Sequence, residues 1–321
     1  MTGIVIPNYN GTEHLKDCFE SLGRQDCRDF RALMVDNGST DESVDFTVKN
    51  FPEIEILKIE KNLGFAPAVN KGIKHLLEDG DVDKILLLNN DVECAPDFLT
   101  EMLNCFKNEE TGSAACKMLN YFERDVIDAA GDFLSLRRSP WARGNGEKDK
   151  GQYDKEEYVF GSCAGAAMYR RDVFEKAGFF DEDFISYFED VDFAFRLQLL
   201  GYKCIYNPRA VCYHKRGATT KQWRGYETRM CERNLIGLRL KNYPASIYAK
   251  CFLFFSAGRI KRYLRFFFTD SPLRAYYALS GYLAGLLQIP RILKKRKVVQ
   301  KKKSVDNDYV VSLMKDNPSK N

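Results

Sequence analysis

The sequence is sparing in the residues that mark the commonest metal and redox sites. Histidine occurs three times and tryptophan twice in 321 residues. Ten cysteines are present, but none forms a C-x-x-C pair, so zinc-ribbon and thioredoxin-type sites lack their ligands. Most cysteines stand in apolar stretches such as Ser113-Ala114-Ala115-Cys116, the pattern of buried free thiols in a reducing compartment. No G-x-G-x-x-G and no Walker-type phosphate loop occurs, which argues against ordinary dinucleotide and P-loop chemistry. The uncharged run Ala275–Pro290 has 16 residues, short of the about 20 that a spanning helix needs. No leader is expected, because residues 3–6 already read as an apolar strand and a polar loop follows at Pro7.

What is present is ordinary in bulk and uneven along the chain. Hydrophobic residues make up 45% and charged residues 29%, which excludes wholesale disorder, collagen and a polytopic membrane protein. Residues 1–240 hold 32 basic and 41 acidic side chains, a net of −9; residues 241–321 hold 17 basic and 4 acidic, a net of +13. A mildly acidic body joined to a basic tail points to an anionic surface. No nucleic-acid-binding signature is present, and aromatic residues between 247 and 268 interleave with Arg259, Lys261, Arg262 and Arg265. That combination suits a protein lying on an anionic leaflet.

Strands and helices alternate through the first 110 residues. Gly3–Ile6, Arg31–Val35, Ile54–Ile59 and Lys84–Leu88 read as short buried strands. Helical patterns follow from about Thr12 to Gly23, from a capping box at Ser39 and Glu42, and from Phe65 to about Leu77. This alternation implies a parallel sheet covered on both faces. Further on, 137–157 reads as a mobile loop over the site, Tyr158–Tyr169 as a strand pair and Arg171–Ala177 as a short helix. Ser186–Leu200, with Ser186 and Glu189 as a second capping box, reads as a longer helix; Lys203–Tyr206 and Ala210–Tyr213 read as short strands. The last 18 residues read as disordered.

The polar, Gly- and Asn-rich segments all fall after strands, where open α/β sheets bind ligands. Pro7-Asn8-Tyr9-Asn10 and Asp36-Asn37-Gly38-Ser39 set a ring and a carboxylate side by side. A ring can stack on a base and a carboxylate can accept from a pyrimidine N–H; the same residues also favour plain turns. Asn89-Asn90-Asp91 follows an apolar strand and offers oxygen ligands to a hard divalent cation, or a simple Asx turn. Glu189, Asp190 and Asp192 put three acids in four positions, more than a helix cap needs, so one is a candidate general base. His214 closes an apolar strand and would ligate a metal if Asp91 lay nearby.

Taken together, strand–PNYNG, strand–VDNGSTD, NLGFAPAVN, LLLNND, GFFDEDFISYFEDVDFAFR and a distant histidine closely resemble the inverting family 2 glycosyltransferases. Within them the set looks most like the rhamnosyltransferase-type members. The resemblance spans about residues 3–220. It implies a GT-A fold, an α/β architecture with a mainly parallel central sheet flanked by helices. Residues 1–240 would be the transferase domain, with 1–110 the nucleotide-binding half and 111–240 the acceptor and catalytic half. Residues 241–303 would form an amphipathic basic helical extension that associates with the membrane, and 304–321 a disordered tail.

By position, the resemblance implies that Tyr9 and Asp36 hold the base, with Pro7 and Ser39 beside them. Asn62, Gly64, Phe65, Asn70 and Asn90 would line the donor site. Asp91 matches the last acid of the family's D-x-D and His214 a histidine that completes its metal site, so Mg²⁺ or Mn²⁺ is the expected cofactor. Asn89 stands where the family often has its first Asp. Asp190 matches the catalytic base. Gly161, Cys163, Gly165, Trp141 and Glu189 would lie on the acceptor side.

The implied reaction moves L-rhamnose from dTDP-rhamnose, or a hexose from a UDP-sugar, to a glycan or polyprenyl-linked acceptor. A cytoplasmic location on the inner face of the cell membrane follows, with oligomeric state open. Two other classes compete with this reading. A nucleotidyltransferase would want a Gly-rich, Lys/Arg-bearing loop after the first strand, which Pro7–Gly11 is not. A non-catalytic nucleotide-sugar-binding module at the membrane is the remaining alternative.

Overall fold

The computed structural model describes residues 1–78, 80–135, 139–215 and 225–314. β1 (Thr2–Asn8) sends Ile4 and Ile6 into one apolar layer and Val5 into the other, as the two-residue period of a strand requires. α1 (Thr12–Gly23) covers the first layer with Leu15, Cys18, Phe19 and Leu22, a stripe at helical spacing. β2 (Phe30–Asn37), α2 (Ser43–Asn50), β3 (Glu55–Ile59), α3 (Phe65–Glu78) and β4 (Lys84–Leu88) follow. α3 covers the second layer with Val69, Ile73 and Leu76. The strands of this half run parallel, in the order β4-β1-β2-β3.

The second half interleaves both directions. β5 (Val92–Cys94), α4 (Phe98–Leu103), β6 (Thr111–Asn120), β7 (Ile127–Ala130), β8 (Asp132–Phe133), β9 (Trp141–Ala142) and β10 (Glu157–Val159) lead to β11 (Ala166–Arg170). After it come α5 (Arg171–Ala177), a 3₁₀ turn at Glu182–Phe184, α6 (Glu189–Leu199) and β12 (Lys203–His214). β11 lies antiparallel between β4 and β6, while β12 runs parallel to β6. The central sheet is therefore mixed rather than mainly parallel. Antiparallel β11 needs no crossover helix and joins the two halves edge to edge.

Several sequence expectations are corrected here. β10 and β11 do not pair with each other: β10 joins β12 and β11 joins β4 and β6. The two strands expected around Pro208 are one strand with a register shift between Asn207 and Val211, a bulge that accommodates the proline. Neither capping box forms. α2 starts at Ser43 without a side-chain cap, and α6 starts at Glu189 after Phe188 in the left-handed region. The described part of 137–157 is pinned, not loose. Buried Arg143 donates to the Ala130 carbonyl at 2.7 Å and to Glu157 at 2.5 Å, and Lys117 pairs with Asp149 at 2.9 Å. Leu136, Arg137 and Arg138 lie outside the described residues.

The C-terminal layer comprises α7 (Tyr226–Asn242), α8 (Ala245–Arg265), a π-helical turn at Phe266–Asp270, α9 (Pro272–Leu286), α10 (Ile289–Lys302) and α11 (Asn307–Ser312). α7 packs with α9 and α10, so the expected boundary at 240 cuts through its last turn. α11 buries Val310 fully, so this part of the expected disordered tail is ordered; residues 315–321 lie outside the described residues. α6 is sandwiched: Phe193 and Leu197 enter the sheet layer, while Val191 and Phe195 meet α7 and α8. Much of the basic charge is spent internally. Lys241, 3% exposed, sits between Asp181 and Asp192, at 2.7 Å from Asp192. Lys295 pairs with Asp181 and Asp183, Arg291 with Asp183 at 2.6 Å. Removing Lys241 takes one cation from each carboxylate, while Asp181 keeps Lys295 and Asp192 keeps Arg196 and Asn242. Lys241→Ala should cost about 1–3 kcal/mol, read as a lowered midpoint in denaturant unfolding.

Candidate functional site

The chain passes from β1 outward to β2 and β3, then returns across β1 to β4. The carboxyl ends of β1 and β4 lie side by side at that reversal, the place where open α/β sheets form their binding crevice. Asn8, at the end of β1, organises it. Its amide donates to Asp36 Oδ1 at 3.5 Å and Ser39 Oγ at 3.2 Å, and its Oδ1 accepts from Asn90 at 2.6 Å. Asp36 Oδ2 accepts from the Ser39 N–H at 3.3 Å. Ser39 is thus a loop clamp, not a helix cap. Pro7 and Tyr9 flank Asn8, both half-buried. The crevice brings Asp36, Ser39 and Asn90 together around one residue that sequence reasoning left without a role.

On the far side of the crevice stands a buried charged triad. His214, the last residue of β12, has Nε2 3.4 Å from Asp91 Oδ1 and Nδ1 2.7 Å from Asp128 Oδ2. All three are buried. Burial alone would lower the His214 pKa, but the two carboxylates override it and raise it to about 9. Burial pushes Asp91 up; the neighbouring His214, with His14, outweighs this and holds it below the usual carboxylate value. Asp91 Oδ1 nevertheless has no hydrogen-bond partner among the described residues. A carboxylate that orients one imidazole nitrogen, leaving the other aimed at an unsatisfied carboxylate oxygen, is the pattern of a metal ligand pair with its outer support. The residues present therefore fit a hard divalent cation. Asp128 was missed in the sequence; an acid inside the apolar run Ile127-Asp128-Ala129-Ala130 was its signal.

Asp190 lies in the first turn of α6. Its Oδ2 accepts from the Ala164 N–H at 3.2 Å and its Oδ1 from the Val191 N–H at 2.8 Å. Burial raises its pKa, and these backbone donors only partly offset that. Glu189 is buried with Oε2 unpartnered among the described residues. Burial first, then the neighbouring Asp190, pushes its carboxyl well above the ordinary range. Both acids are thus held above the ordinary carboxylate range, the condition that tunes a carboxylate for acid–base work. The segment holding Asp190 also touches the metal-side loop, because the Gly165 carbonyl accepts from the Asn89 N–H at 2.8 Å.

The small-residue segment 161–165 joins these pieces. Gly161 exchanges two backbone hydrogen bonds with Asp132, at 2.9 and 3.2 Å, and packs on Ala194. Cys163, Asp132 and Asp190 offer ligand atoms all within 4.8 Å of one another. Burial, then Asp132 and Asp190, pushes the Cys163 thiol well above its usual value, which disfavours the thiolate. Trp141 stacks on Phe133, ring centroids 5.3 Å apart, and hydrogen-bonded β8 and β9 place it one residue from Asp132.

The backbone just before Asp190 is strained. Ile185 has φ +63° and ψ −65°, and the Ser186 N–H bonds the Phe184 carbonyl at 2.7 Å, a γ-turn. Tyr187 and Phe188 follow at φ +70° and +67°. Such geometry costs about 1–3 kcal/mol per residue and persists only when neighbours over-determine it. Asn234, on α7, supplies that constraint: its amide lies 2.9, 2.8 and 2.8 Å from the carbonyls of Phe184, Ser186 and Tyr187. From the other side, the Ala66 N–H donates to Ile185 O at 3.0 Å. Gly64, at φ +91°, leaves 2.4 Å between its absent Cβ and Ile185 Cγ2, a contact no other residue could make. Asn62 and Gly64 lock onto Asn37, and Phe65 packs into the core.

Asn70 is corrected: buried, it exchanges hydrogen bonds with both backbone groups of Phe180 and donates to Glu182, so its amide is consumed inside the protein. Asn234 carried no sequence signal, since its partners lie about 50 residues away. Asn234→Ala should lower kcat about tenfold or more with little change in donor KM. Asn234→Gln should restore little, because the added methylene misplaces the amide; steady-state kinetics of both variants would check this.

The Asp91–His214 pair on one side and the Glu189–Asp190 acid pair on the other form a candidate catalytic site at the sheet's carboxyl edge. The comparisons make it specific. The family model for glycosyl transferase family 2 matches residues 3–178, more than half of the chain, and the protein belongs to that family. An N-acetylglucosaminyl-diphospho-decaprenol L-rhamnosyltransferase of Mycobacterium tuberculosis is 27% identical over 238 residues, covering 68% of this chain and 76% of that protein. Two solved structures share the fold. A mannosyltransferase of Pyrobaculum calidifontis, in complex with GDP-Man and Mn²⁺, has a TM-score of 0.55 at 15% identity, over 96% of this chain and 87% of that one. GalNAc-T7, with UDP, GalNAc and Mn²⁺, has a TM-score of 0.63 at 14% identity, over 92% and 57%. The chain is a glycosyltransferase with a GT-A-like fold.

Proposed function

We propose that this enzyme is an inverting, metal-assisted glycosyltransferase. It moves a sugar from a pyrimidine nucleotide diphosphate to a hydroxyl of a lipid-linked or cell-surface glycan, at the inner face of the membrane. The observation that carries the reading is Asp190: a half-buried, pKa-raised carboxylate fixed by two backbone N–H groups beside the crevice. Asp36 accepts from the base, Tyr9 stacks on it, and Ser39 and Asn90 hold the loops that shape the pocket. Asp190 takes the proton from the acceptor hydroxyl as the oxygen attacks the anomeric carbon opposite the diphosphate. One base and an in-line displacement give inversion. Asp91 and His214 would hold Mg²⁺ or Mn²⁺, which supplies positive charge for the leaving diphosphate when bound. Cys163, Gly165 and Trp141 border the acceptor side with Glu189.

The mycobacterial relative, an L-rhamnosyltransferase, favours L-rhamnose as the sugar, and dTDP-rhamnose is the donor proposed for this chain. UDP-hexose is the competing donor, since Asp36 and Tyr9 meet a pyrimidine in both. The test is donor hydrolysis and product stereochemistry with dTDP-rhamnose and UDP-hexoses, each with Mn²⁺ or EDTA. Turnover of one donor with inverted product and loss in EDTA is expected. Retained anomeric configuration, or no turnover of any donor, would overturn the reading.

A further inference from the structure

We propose that the outward faces of α8 and α9 form one lipid-docking surface that seats the protein on an anionic bilayer. This deepens the membrane-proximal reading above and rests on it for the position of the acceptor only. The observation is an inside-out helix. α9 turns its small residues Ala278, Gly281 and Gly285 inward and its large apolar residues Tyr276, Leu279, Leu283 and Leu287 outward. The inward side is pressed backbone to backbone. A Cβ on Gly281 would lie 2.1 Å from the Arg229 carbonyl oxygen of α7, and one on Gly285 2.7 Å from that of Arg233. A water-facing helix has the opposite distribution.

α8 continues the pattern. Leu253 is 76% exposed, Ile260 61% and Leu264 53%, and Phe268 in the π-helical turn is 75% exposed. At about 100° per residue, Leu253, Ile260 and Leu264 share a stripe bordered on one edge by exposed Lys250, Lys261 and Arg265. Contiguous apolar surface of this kind marks an interaction site.

Charge selects the occupant. Residues 245–303 hold 14 basic side chains and one acidic one, Asp270. Lys295 and Arg291 are taken by Asp181 and Asp183, and Arg262 by Glu232. Lys250, Lys261 and Arg265 border the stripe itself. An apolar stripe edged by cations is complementary to an anionic headgroup layer over acyl chains. Among the described residues no helix is long and apolar enough to cross a membrane, so contact is with one leaflet.

The experiment is flotation of the full chain with phosphatidylcholine–phosphatidylglycerol vesicles and with phosphatidylcholine alone. A triple variant Leu253→Gln, Ile260→Gln, Leu264→Gln and a charge variant Lys250→Gln, Lys261→Gln, Arg265→Gln are compared. Wild type should float with the anionic vesicles. The triple variant should lose at least about tenfold in partitioning, and the charge variant should float only weakly and lose its salt dependence. Unchanged circular dichroism and unchanged nucleotide-diphosphate binding show that the variants are folded. Equal flotation of wild type and triple variant would overturn the proposal. So would a wild-type dimer that the triple variant dissociates while neither floats, since the face would then cover a second copy. Donor hydrolysis in detergent-free buffer, which needs no bilayer, reports separately on the transferase reading.

Discussion

Asp190→Asn should lower turnover about 10²–10⁴-fold, the usual worth of a positioned general base, while nucleotide diphosphate affinity stays within about twofold. The substitution keeps shape and removes only basicity. It also trades one of two accepting oxygens for an NH₂ group, which then faces the N–H of Ala164 or Val191. That mismatch should cost about 1–3 kcal/mol of stability, so unfolding is measured alongside kinetics. Because burial raises the Asp190 pKa, the wild-type profile should show its acid limb above the ordinary carboxylate range. Activity is full where the carboxylate is ionised and falls as pH drops through that raised pKa. The residual activity of the Asn variant should lack this limb. Full turnover by Asp190→Asn would show that another group takes the proton.

The second large effect concerns Asp91. Asp91→Asn should abolish the metal dependence of nucleotide binding. In wild type, a nucleotide diphosphate with Mn²⁺ at about 100 times its dissociation constant should stabilise the fold by about 2.7 kcal/mol. In the variant the rise in melting midpoint should be the same with Mn²⁺ as with EDTA. His214 keeps Asp128 at 2.7 Å in that variant, so the buried imidazole retains a carboxylate partner and the protein should fold. A metal-dependent rise that survives in Asp91→Asn would remove Asp91 from the metal site. Isothermal titration with Mn²⁺ in the presence of UDP measures the same loss directly and does not depend on catalysis.

Much of the nucleotide-binding half was legible because its signals are local. Apolar strands end in Asn, Asp and Gly, and amphipathic helices follow at fixed spacing, so the carboxyl edge of the sheet could be read residue by residue. The errors arose where local chemistry had two outlets. Ser39 and Ser186 carry the capping-box spacing, yet Ser39 Oγ serves Asn8 and the Asn10 N–H, while Ser186 Oγ accepts the Phe65 N–H at 3.4 Å. A side chain that can cap a helix can equally hold a loop. The segment after Arg138 looked like a loose loop because its anchors, Lys117 and Glu157, are distant or opposite in the fold. Arg291 and Lys295 belong to the basic extension, yet a cation's partner is not written beside it; theirs are Asp181 and Asp183.

The sequence by itself determined the family, the candidate site residues Asp36, Asp91, Asp190 and His214, and a basic, aromatic C-terminal region. Each of these is a matter of residue type and order along the chain. Only the tertiary structure decided which groups meet. Asp128 reaches His214 across 86 residues. Asn234 holds the strained turn ahead of Asp190 from a helix in the C-terminal layer, and Lys241 ties that layer to the helix carrying Asp190. It also decided that α9 turns glycine inward and leucine outward. Hydrophobic periodicity marks which residues share a face; it does not say whether that face meets protein or solvent until a neighbour has packed against the other side.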